Sequence, residues 1–376
     1  MVIRNLQQLI EESFYKGKAI LVFGARQVGK STLIDQLLKK KDYLYLNGDD
    51  ADVREILTNA TSTRLKTITN NKTIVFIDEA QRIPDIGLTL KIFTDRLKQV
   101  QVIATGSSAF ELTAQVNEPL TGRKFEFMLY PLSFNEMVQH HGLLEEKRLL
   151  EQRMIYGYYP EIVSSAGNEK RLLKLLANSY LYKDLLMLEQ VKKPLILSKL
   201  LKALALQLGS EVNYQEIAQL VDSDYKTVDK YVDLLEKAFV VFRLPALNRN
   251  VRNEIKKGKK VYFYDCGIRN AVLNNFKLLN ERTDTGALWE NYIIAERIKF
   301  LSNQEKEADH YFWRTTQQQE IDLIEETAEG MAAYEFKWSK NARARFSSTF
   351  STNYSATSYT VITPDNMEDF LLPGKR

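Results

Sequence analysis

Glycine, lysine and serine occur near the start of the chain at a spacing that binds phosphate. An apolar run, Ala19–Phe23, leads into Gly24-Ala25-Arg26-Gln27-Val28-Gly29-Lys30-Ser31-Thr32, which has the pattern G-x-x-x-x-G-K-S. The two glycines let the backbone turn and direct its N–H groups at a triphosphate, while the lysine neutralises phosphate oxygens. The serine offers a hydroxyl to Mg²⁺, and the following helix adds the positive end of its dipole. The pattern predicts a nucleotide-binding loop.

Two acids end the next strongly apolar run. Residues 73–77 are β-prone, and Asp78 and Glu79 follow them. At the carboxyl end of a parallel strand beside the loop, Asp78 would hold Mg²⁺ through its water shell, and Glu79 would polarise the water that attacks the terminal phosphate. The pair predicts hydrolysis in addition to binding. ATP is the expected nucleotide because no guanine-reading N-K-x-D follows the fourth strand.

Polar residues near two later strands are further candidates, and each has two interpretations. Thr105, Ser107 and Ser108 follow a strand predicted over residues 100–104, where they would orient water at the sheet edge or act as turn formers and helix caps. Arg123 would contact a phosphate as a sensor, or as an inter-subunit finger in a homo-oligomer. The alternative for Arg123 is an ordinary surface ion pair.

Composition limits the classes of protein to consider. The chain has 376 residues, 44% of them hydrophobic and 27% charged, which is typical of two or three globular domains. A net charge of +4 allows acidic partners without requiring one. Cys266 is the only cysteine, which excludes an intrachain disulfide and favours a cytoplasmic location. No run of eighteen apolar residues occurs, so we expect no membrane-spanning helix.

Alternation of strand-like and helical segments predicts an α/β domain with a parallel sheet over residues 1–130. The strands are expected at 19–23, 43–46, 73–77, 100–104 and 125–129. Three further regions follow: a helical lid or connector at 131–193, a winged-helix-like domain at 194–247, and a C-terminal α+β domain at 248–376.

The third of the three helices expected within 194–247 has the position of a DNA-recognition helix. Its candidate contact residues are Tyr225, Lys226, Thr227 and Lys230. Nearby acids dilute its positive field, namely Asp224, Asp229 and Asp233. DNA contact and a purely protein-packing role both remain open for this helix.

A basic segment at residues 243–260 adjoins this helix. Its cations are Arg243, Arg249, Arg252, Lys256, Lys257, Lys259 and Lys260, and Glu254 alone offsets them. Such a cluster would follow a DNA backbone without reading its sequence. A solvated basic hairpin is the alternative.

Charged residues near the end of the chain have a spacing that is used for metal-dependent hydrolysis. Glu290 lies on a predicted helix, Asp322 on a strand, and Glu335 and Lys337 on one face of the next strand. This is the residue set of the PD-(D/E)XK nuclease fold, in which the acids hold a divalent metal and the lysine positions the attacking water. A surface ladder of charges is the alternative.

In combination, these motifs resemble those of prokaryotic AAA-type ATPases that carry a C-terminal domain of unknown function with a restriction-endonuclease-like part. The motifs are residues 24–32, Ile77-Asp78-Glu79-Ala80-Gln81, Thr105-Gly106-Ser107-Ser108, Gly122-Arg123, Tyr158-Tyr159-Pro160-Glu161, Glu320-Ile321-Asp322 and Glu335-Phe336-Lys337. The resemblance covers nearly the whole chain. It implies an AAA+ superfamily ATPase core with a catalytic glutamate at Glu79, a winged-helix middle and a nuclease-like end.

Three hypotheses follow from these observations. The first is a Mg²⁺-dependent ATPase coupled to DNA binding or remodelling. The second is a metal-dependent nuclease gated by nucleotide. The third is a nucleotide switch that binds a protein partner and retains a vestigial nuclease site.

Overall fold

The computed structural model describes residues 1–106, 119–187, 193–247, 258–315, 317–339, 346, 348–354 and 356–374. The chain divides into two compact units, the first comprising 1–132 with 237–239 and the second 133–236 with 240–376. Within the described ranges, we find no helix that has both the length and the apolar character needed to cross a bilayer.

The first unit is built on a five-stranded parallel sheet. Its strands are β1 (Ala19–Phe23), β2 (Tyr43–Asn47), β3 (Ile74–Asp78), β4 (Gln101–Gly106) and β5 (Lys124–Met128). The spatial order is β2-β3-β4-β1-β5, and every neighbouring pair is parallel. Because β1, β3 and β4 are buried along their whole length, they read as continuous apolar runs in the sequence. The predicted parallel α/β sheet is confirmed, with strand ends shifted by no more than two residues.

Five helices accompany this sheet in the part of the unit that the structure describes. They are α1 (Leu6–Glu12), α2 (Lys30–Leu38), α3 (Ala51–Leu57), α4 (Ser62–Thr69) and α5 (Ile86–Arg96). The strand order places β4 between β1 and β3, with Phe23 beside Gly106 and Ile77 beside Ala104. The carboxyl ends of these three strands therefore meet at one edge of the sheet.

The second unit begins with helices. They are α6 (Phe134–His141), α7 (Leu143–Arg148), α8 (Leu150–Tyr156), α9 (Pro160–Val163) and α10 (Glu169–Met187). A capping box stabilises the start of α6, since the Ser133 hydroxyl and the Glu136 side chain each accept a hydrogen bond from the other residue's backbone N–H. Pro160 opens α9, where its missing N–H costs no helical hydrogen bond.

Three helices and three antiparallel strands follow among the described residues 193–247 and 258–263. They are α11 (Pro194–Leu206), β6 (Glu211–Val212), α12 (Tyr214–Leu220), α13 (Tyr225–Lys237), β7 (Val241–Pro245) and β8 (Lys259–Phe263). The strand order is β6-β8-β7. Asn213 caps α12, and Asp224 accepts hydrogen bonds from the backbone and hydroxyl of Thr227 at the start of α13. Strand β8 belongs to this sheet although it lies beyond residue 247, the boundary expected from the sequence.

The last part of the second unit begins with helices and continues into a mixed sheet. Its elements are α14 (Cys266–Leu273), α15 (Thr285–Asn303), β9 (Asp309–Arg314), β10 (Glu320–Thr327), β11 (Gly330–Phe336), α16 (Ser348–Asn353), β12 (Ala356–Ile362) and α17 (Met367–Leu371). The order is β12-β11-β10-β9, in which only β11 and β12 run parallel among the neighbouring pairs. Trp313, Ile321, Ile324 and Phe350 form part of the core on this sheet.

Candidate nucleotide-binding site

The loop between β1 and α2 has a backbone that its glycines make possible. Gly29 has φ of 92°, a left-handed conformation that favours glycine, and it directly precedes α2. A Cβ atom on Gly24 would lie 2.1 Å from the carbonyl oxygen of Leu129, which is inside van der Waals contact. The ammonium group of Lys30 is buried in the loop and donates hydrogen bonds to the carbonyl oxygens of Gly24 (3.0 Å) and Ala25 (2.9 Å).

Asp78, at the end of β3, is bound by hydroxyl groups from three other elements. Ser31 of α2 donates a hydrogen bond of 2.7 Å to Oδ2, and Thr105 of β4 donates to Oδ1. The Tyr45 hydroxyl of β2 lies 3.4 Å from Oδ2. Burial, with the nearby Asp78 charge, raises the pKa of Tyr45 to about 12, so this hydroxyl stays protonated. Thr105 thus orients the Asp78 carboxylate, whereas Ser107 and Ser108 lie outside the described residues.

Glu79 is held beside Asp78 by a short turn. Its backbone has φ of 49°, and it precedes the 3-10 turn Ala80–Arg82. The side-chain amide of Gln81 donates a hydrogen bond of 2.6 Å to Glu79 Oε2. A Cβ on Gly48 would lie 2.3 Å from the Glu79 carbonyl oxygen, so glycine is needed at Gly48 for this close approach. Glu79 is half-buried and fixed at the carboxyl edge of the sheet.

The oxygen atoms at this edge suit a magnesium ion. Mg²⁺ prefers carboxylate, hydroxyl and water oxygens, and the Ser31 hydroxyl and Asp78 carboxylate are already in contact. A second acid, Asp35 of α2, is close enough that the Asp78 charge adds to burial in raising the Asp35 pKa. Ser31 and Asp78 are the residues that would hold the ion, as the sequence predicts.

The structure corrects the prediction that Arg123 reaches a phosphate of its own subunit. Arg123 precedes β5, and its carbonyl oxygen accepts the N–H of Ala19 at the start of β1. It therefore lies at the amino edge of the sheet, about 17 Å from the carboxyl edge for strands of this length. Its guanidinium binds Asp95 at 2.7 Å and is partly exposed. Among the roles considered, a surface ion pair fits this position, and a role in a neighbouring subunit stays a prediction.

Three of the predicted C-terminal residues lie together. Lys337 Nζ is 2.8 Å from Glu335 Oε2 and 3.9 Å from Asp322 Oδ2. The backbone N–H of Phe336 donates to Asp322 Oδ2 at 2.8 Å. Burial and the Asp322 charge raise the pKa of Glu335 to about 7, although Lys337 opposes the shift.

Glu290 is near this group but binds other residues. Its Oε1 lies 2.9 Å from Lys260 Nζ and accepts a hydrogen bond from the Tyr262 hydroxyl. Burial raises the pKa of Glu290 to about 7, with Lys260 opposing and Asp322 adding to the shift. Among the described residues, no group of three His, Cys, Asp or Glu side chains is arranged to hold a metal.

The structure also corrects part of the predicted basic segment. Arg243 is not a free surface cation, because its guanidinium forms ion pairs with Asp229, Asp233 and Glu236 of α13. Lys260 is fully buried. Four members lie outside the described residues: Arg249, Arg252, Lys256 and Lys257.

Sequence reasoning missed Tyr45, the positioning role of Gln81, and Lys260 as a partner of Glu290. The role of Gln81 could have been predicted, since Gln81 lies two residues after Glu79 in the motif Ile77-Asp78-Glu79-Ala80-Gln81. Tyr45 and Lys260 reach their partners through strand pairing and packing, and no local pattern in the sequence indicates these contacts.

Comparison with known proteins supports an AAA-type domain in the first unit. Residues 16–138 match a family described as AAA domain. Residues 147–279 and 285–371 match two families described as domains of unknown function, DUF8612 and DUF4143. The chain thus carries a P-loop AAA-type domain, and its C-terminal match is consistent with the expected domain of unknown function.

Two curated relatives are uncharacterized proteins. One, from Mycobacterium tuberculosis, is 24% identical over 342 residues, covering 89% of this chain and 73% of the relative. Another, from Haemophilus influenzae, is 27% identical over 295 residues, covering 70% of this chain and 71% of the relative. Among solved structures, a Walker-type ATPase of Pyrococcus abyssi matches at 16% identity and a TM-score of 0.49, covering 71% of this chain and 94% of that one.

Proposed function

We propose that this chain is a Mg²⁺-dependent ATPase. The observation that carries the proposal is the 2.7 Å hydrogen bond between Ser31 of the phosphate-binding loop and Asp78. It joins the two motifs of an ATPase, which lie 47 residues apart in the sequence, at one edge of the sheet. The match of residues 16–138 to the AAA domain supports the same assignment.

Each residue has a distinct task in this proposal. Backbone N–H groups of the loop bind the triphosphate, and Lys30 neutralises the oxygens of its terminal groups. Glu79, fixed by Gln81, orients the attacking water and accepts its proton. Ser31 and Asp78 would hold Mg²⁺, which would supply positive charge to the phosphate oxygens while the terminal group is transferred to water.

Measuring ATP turnover of the purified chain and two site variants tests the proposal. We expect Lys30→Ala to lose nucleotide binding, and Glu79→Gln to bind ATP while losing at least about a hundredfold in kcat. Lys66→Ala removes an exposed lysine of the same unit and serves as the control. Turnover by Lys30→Ala equal to that of the parent would show that the assignment is wrong.

A second part of the proposal is that hydrolysis is coupled to DNA through α13. Two of the acids that weaken its positive field, Asp229 and Asp233, form ion pairs with Arg243, whereas Asp224 caps the helix and keeps its charge. Lys226 and Lys230 remain exposed. Exposed cations on a helix that follows a short turn support phosphate contact.

Fluorescence anisotropy with labelled double-stranded DNA tests the coupling. Lys226→Glu/Lys230→Glu should weaken binding by about tenfold or more and lower its salt dependence, because two phosphate contacts are lost. Lys39→Glu/Lys40→Glu makes the same charge change at exposed lysines of the first unit and controls for net charge. Equal binding by the two double variants, or ATP turnover indifferent to DNA, would favour the switch that binds a protein partner.

A further inference from the structure

Lys260 lies among the carboxylates that the sequence assigns to a nuclease centre. It is on β8, its side chain is 1% exposed, and its ammonium lies above the Phe312 ring at 5.4 Å. Nζ is 2.9 Å from Glu290 Oε1 and 2.5 Å from Glu320 Oε1. A buried ammonium keeps its charge only with such partners, so the carboxylates and the lysine stabilise one another.

In each of the three acids, one carboxylate oxygen already accepts a hydrogen bond or lies in an ion pair. Glu290 Oε1 has both Lys260 and Tyr262 as partners. Asp322 Oδ2 accepts the N–H of Phe336, and Glu335 Oε2 lies 2.8 Å from Lys337 Nζ. A divalent ion entering this cluster would displace these donors and meet the charge of Lys260 in a site from which water is largely excluded.

We propose that Lys260 is the resident cation of this cluster, and that the cluster takes up no catalytic divalent metal. The nuclease-like residues then form an ion-pair core that joins β8, α15 and β10. Any nucleic acid that the second unit contacts is bound without metal-dependent cleavage. The inference is independent of the ATPase assignment.

Mn²⁺ binding to the full chain tests the inference, with free Mn²⁺ followed by electron paramagnetic resonance. All proteins carry Asp78→Asn and contain no nucleotide, so that the first unit contributes no site. The chain with Lys260 should show no saturable binding up to a Mn²⁺ concentration of about 1 mM. Lys260→Met should bind one Mn²⁺ at least about tenfold more tightly, and Asp322→Asn should remove that site.

A charge-balanced variant controls for misfolding. At a pH above the Glu290 pKa of about 7, Lys260→Met leaves buried acids without their cation, whereas Lys260→Met/Glu290→Gln removes one charge of each sign and should recover most of the lost thermal stability. If Lys260→Met is unfolded, Mn²⁺ binding to the chain that keeps Lys260 still tests the proposal. Saturable binding by that chain, abolished by Asp322→Asn, overturns the proposal, and the absence of such binding supports it. A folded Lys260→Met chain that gains no Mn²⁺ site also overturns it.

Discussion

The side-chain amide of Gln81 donates a hydrogen bond of 2.6 Å to the Glu79 carboxylate. This bond fixes the rotamer of a half-buried acid whose backbone is already in the left-handed region, with φ of 49°. Glu79 is therefore pre-positioned at the sheet edge, and Gln81 acts on catalysis only through it.

We predict that Gln81→Ala lowers kcat for ATP by about tenfold and leaves KM nearly unchanged, because the base loses its orientation while the phosphate contacts stay. Steady-state kinetics on Gln81→Ala, Glu79→Gln and the double variant measures the effect. In the double variant the Gln81 change should have no further effect, since the carboxylate it orients is gone. Two independent, multiplicative losses would contradict the positioning role.

Gly24→Ala should abolish ATP binding, because the new Cβ would lie 2.1 Å from the Leu129 carbonyl oxygen and displace the loop. Isothermal titration with ATP measures the loss. Gly286→Ala is the matched control, since no atom lies within 4 Å of its added Cβ. Near-parental affinity of Gly24→Ala would mean that the loop can shift without losing its phosphate contacts.

The nucleotide site was predictable from the sequence because its signals are local. A strand, a glycine loop and a helix occupy consecutive residues, and the apolar run before Asp78 marks a buried strand. Tyr45 was not predictable, since its contact depends on the pairing of β2 with β3, in which Asn47 lies beside Asp78. Nothing in the spacing of residues 43–47 indicates that a hydroxyl will reach that acid.

In the basic segment, the sequence predicts exposed cations that the structure does not show. Counting charges places Arg243 and Lys260 on a cationic surface, yet both are ion-paired in the structure. Their partners lie on α13, α15 and β10, so the neutralisation is visible only once the helices and strands pack. Charge in a sequence window thus overestimates the cations that remain available to a polyanion.

Arg243→Gln should destabilise the second unit by about 2 kcal/mol, because it leaves three neighbouring acids on α13 without their cation. Urea unfolding followed by tryptophan fluorescence measures this, since the chain's 3 tryptophans, at positions 289, 313 and 338, all lie in the second unit. Lys199→Gln breaks an exposed pair with Asp222 and should cost less than about 0.5 kcal/mol. Equal losses would show that the Arg243 cluster is energetically a surface pair.

Gly157→Ala should be strongly destabilising, because its Cβ would lie 2.0 Å from the buried Asp265 carboxylate, which also accepts the N–H of Tyr158. Gly167→Ala is a matched control. The φ of Gly167, +85°, is close to the +73° of Gly157, but a Cβ on Gly167 would meet no atom within 4 Å. The control should lose about 1 kcal/mol from backbone strain alone, and Gly157→Ala at least about 2 kcal/mol more. The same fluorescence assay compares them, and equal losses would contradict the steric argument.

The pKa of Glu290 links the stability of the second unit to pH. Burial raises this pKa from 4.5 to about 7 in the folded chain. Between these values the folded state keeps a proton that the unfolded state has lost, so the free energy of unfolding falls as pH rises through this window. This shift, which already includes the opposing charge of Lys260, corresponds to an upper limit of about 3 kcal/mol.

We predict that the urea midpoint of the parent falls between pH 5 and pH 7, and that Glu290→Gln reduces this fall because its side chain does not titrate. Glu335 is shifted in the same direction, to about 7, so some pH dependence should remain in the variant. Glu281→Gln, at an exposed glutamate, controls for the loss of a charge. A parent and a Glu290→Gln variant with the same pH dependence would show that Glu290 stays ionised beside Lys260 throughout this range, and that the ion pair outweighs the cost of burial.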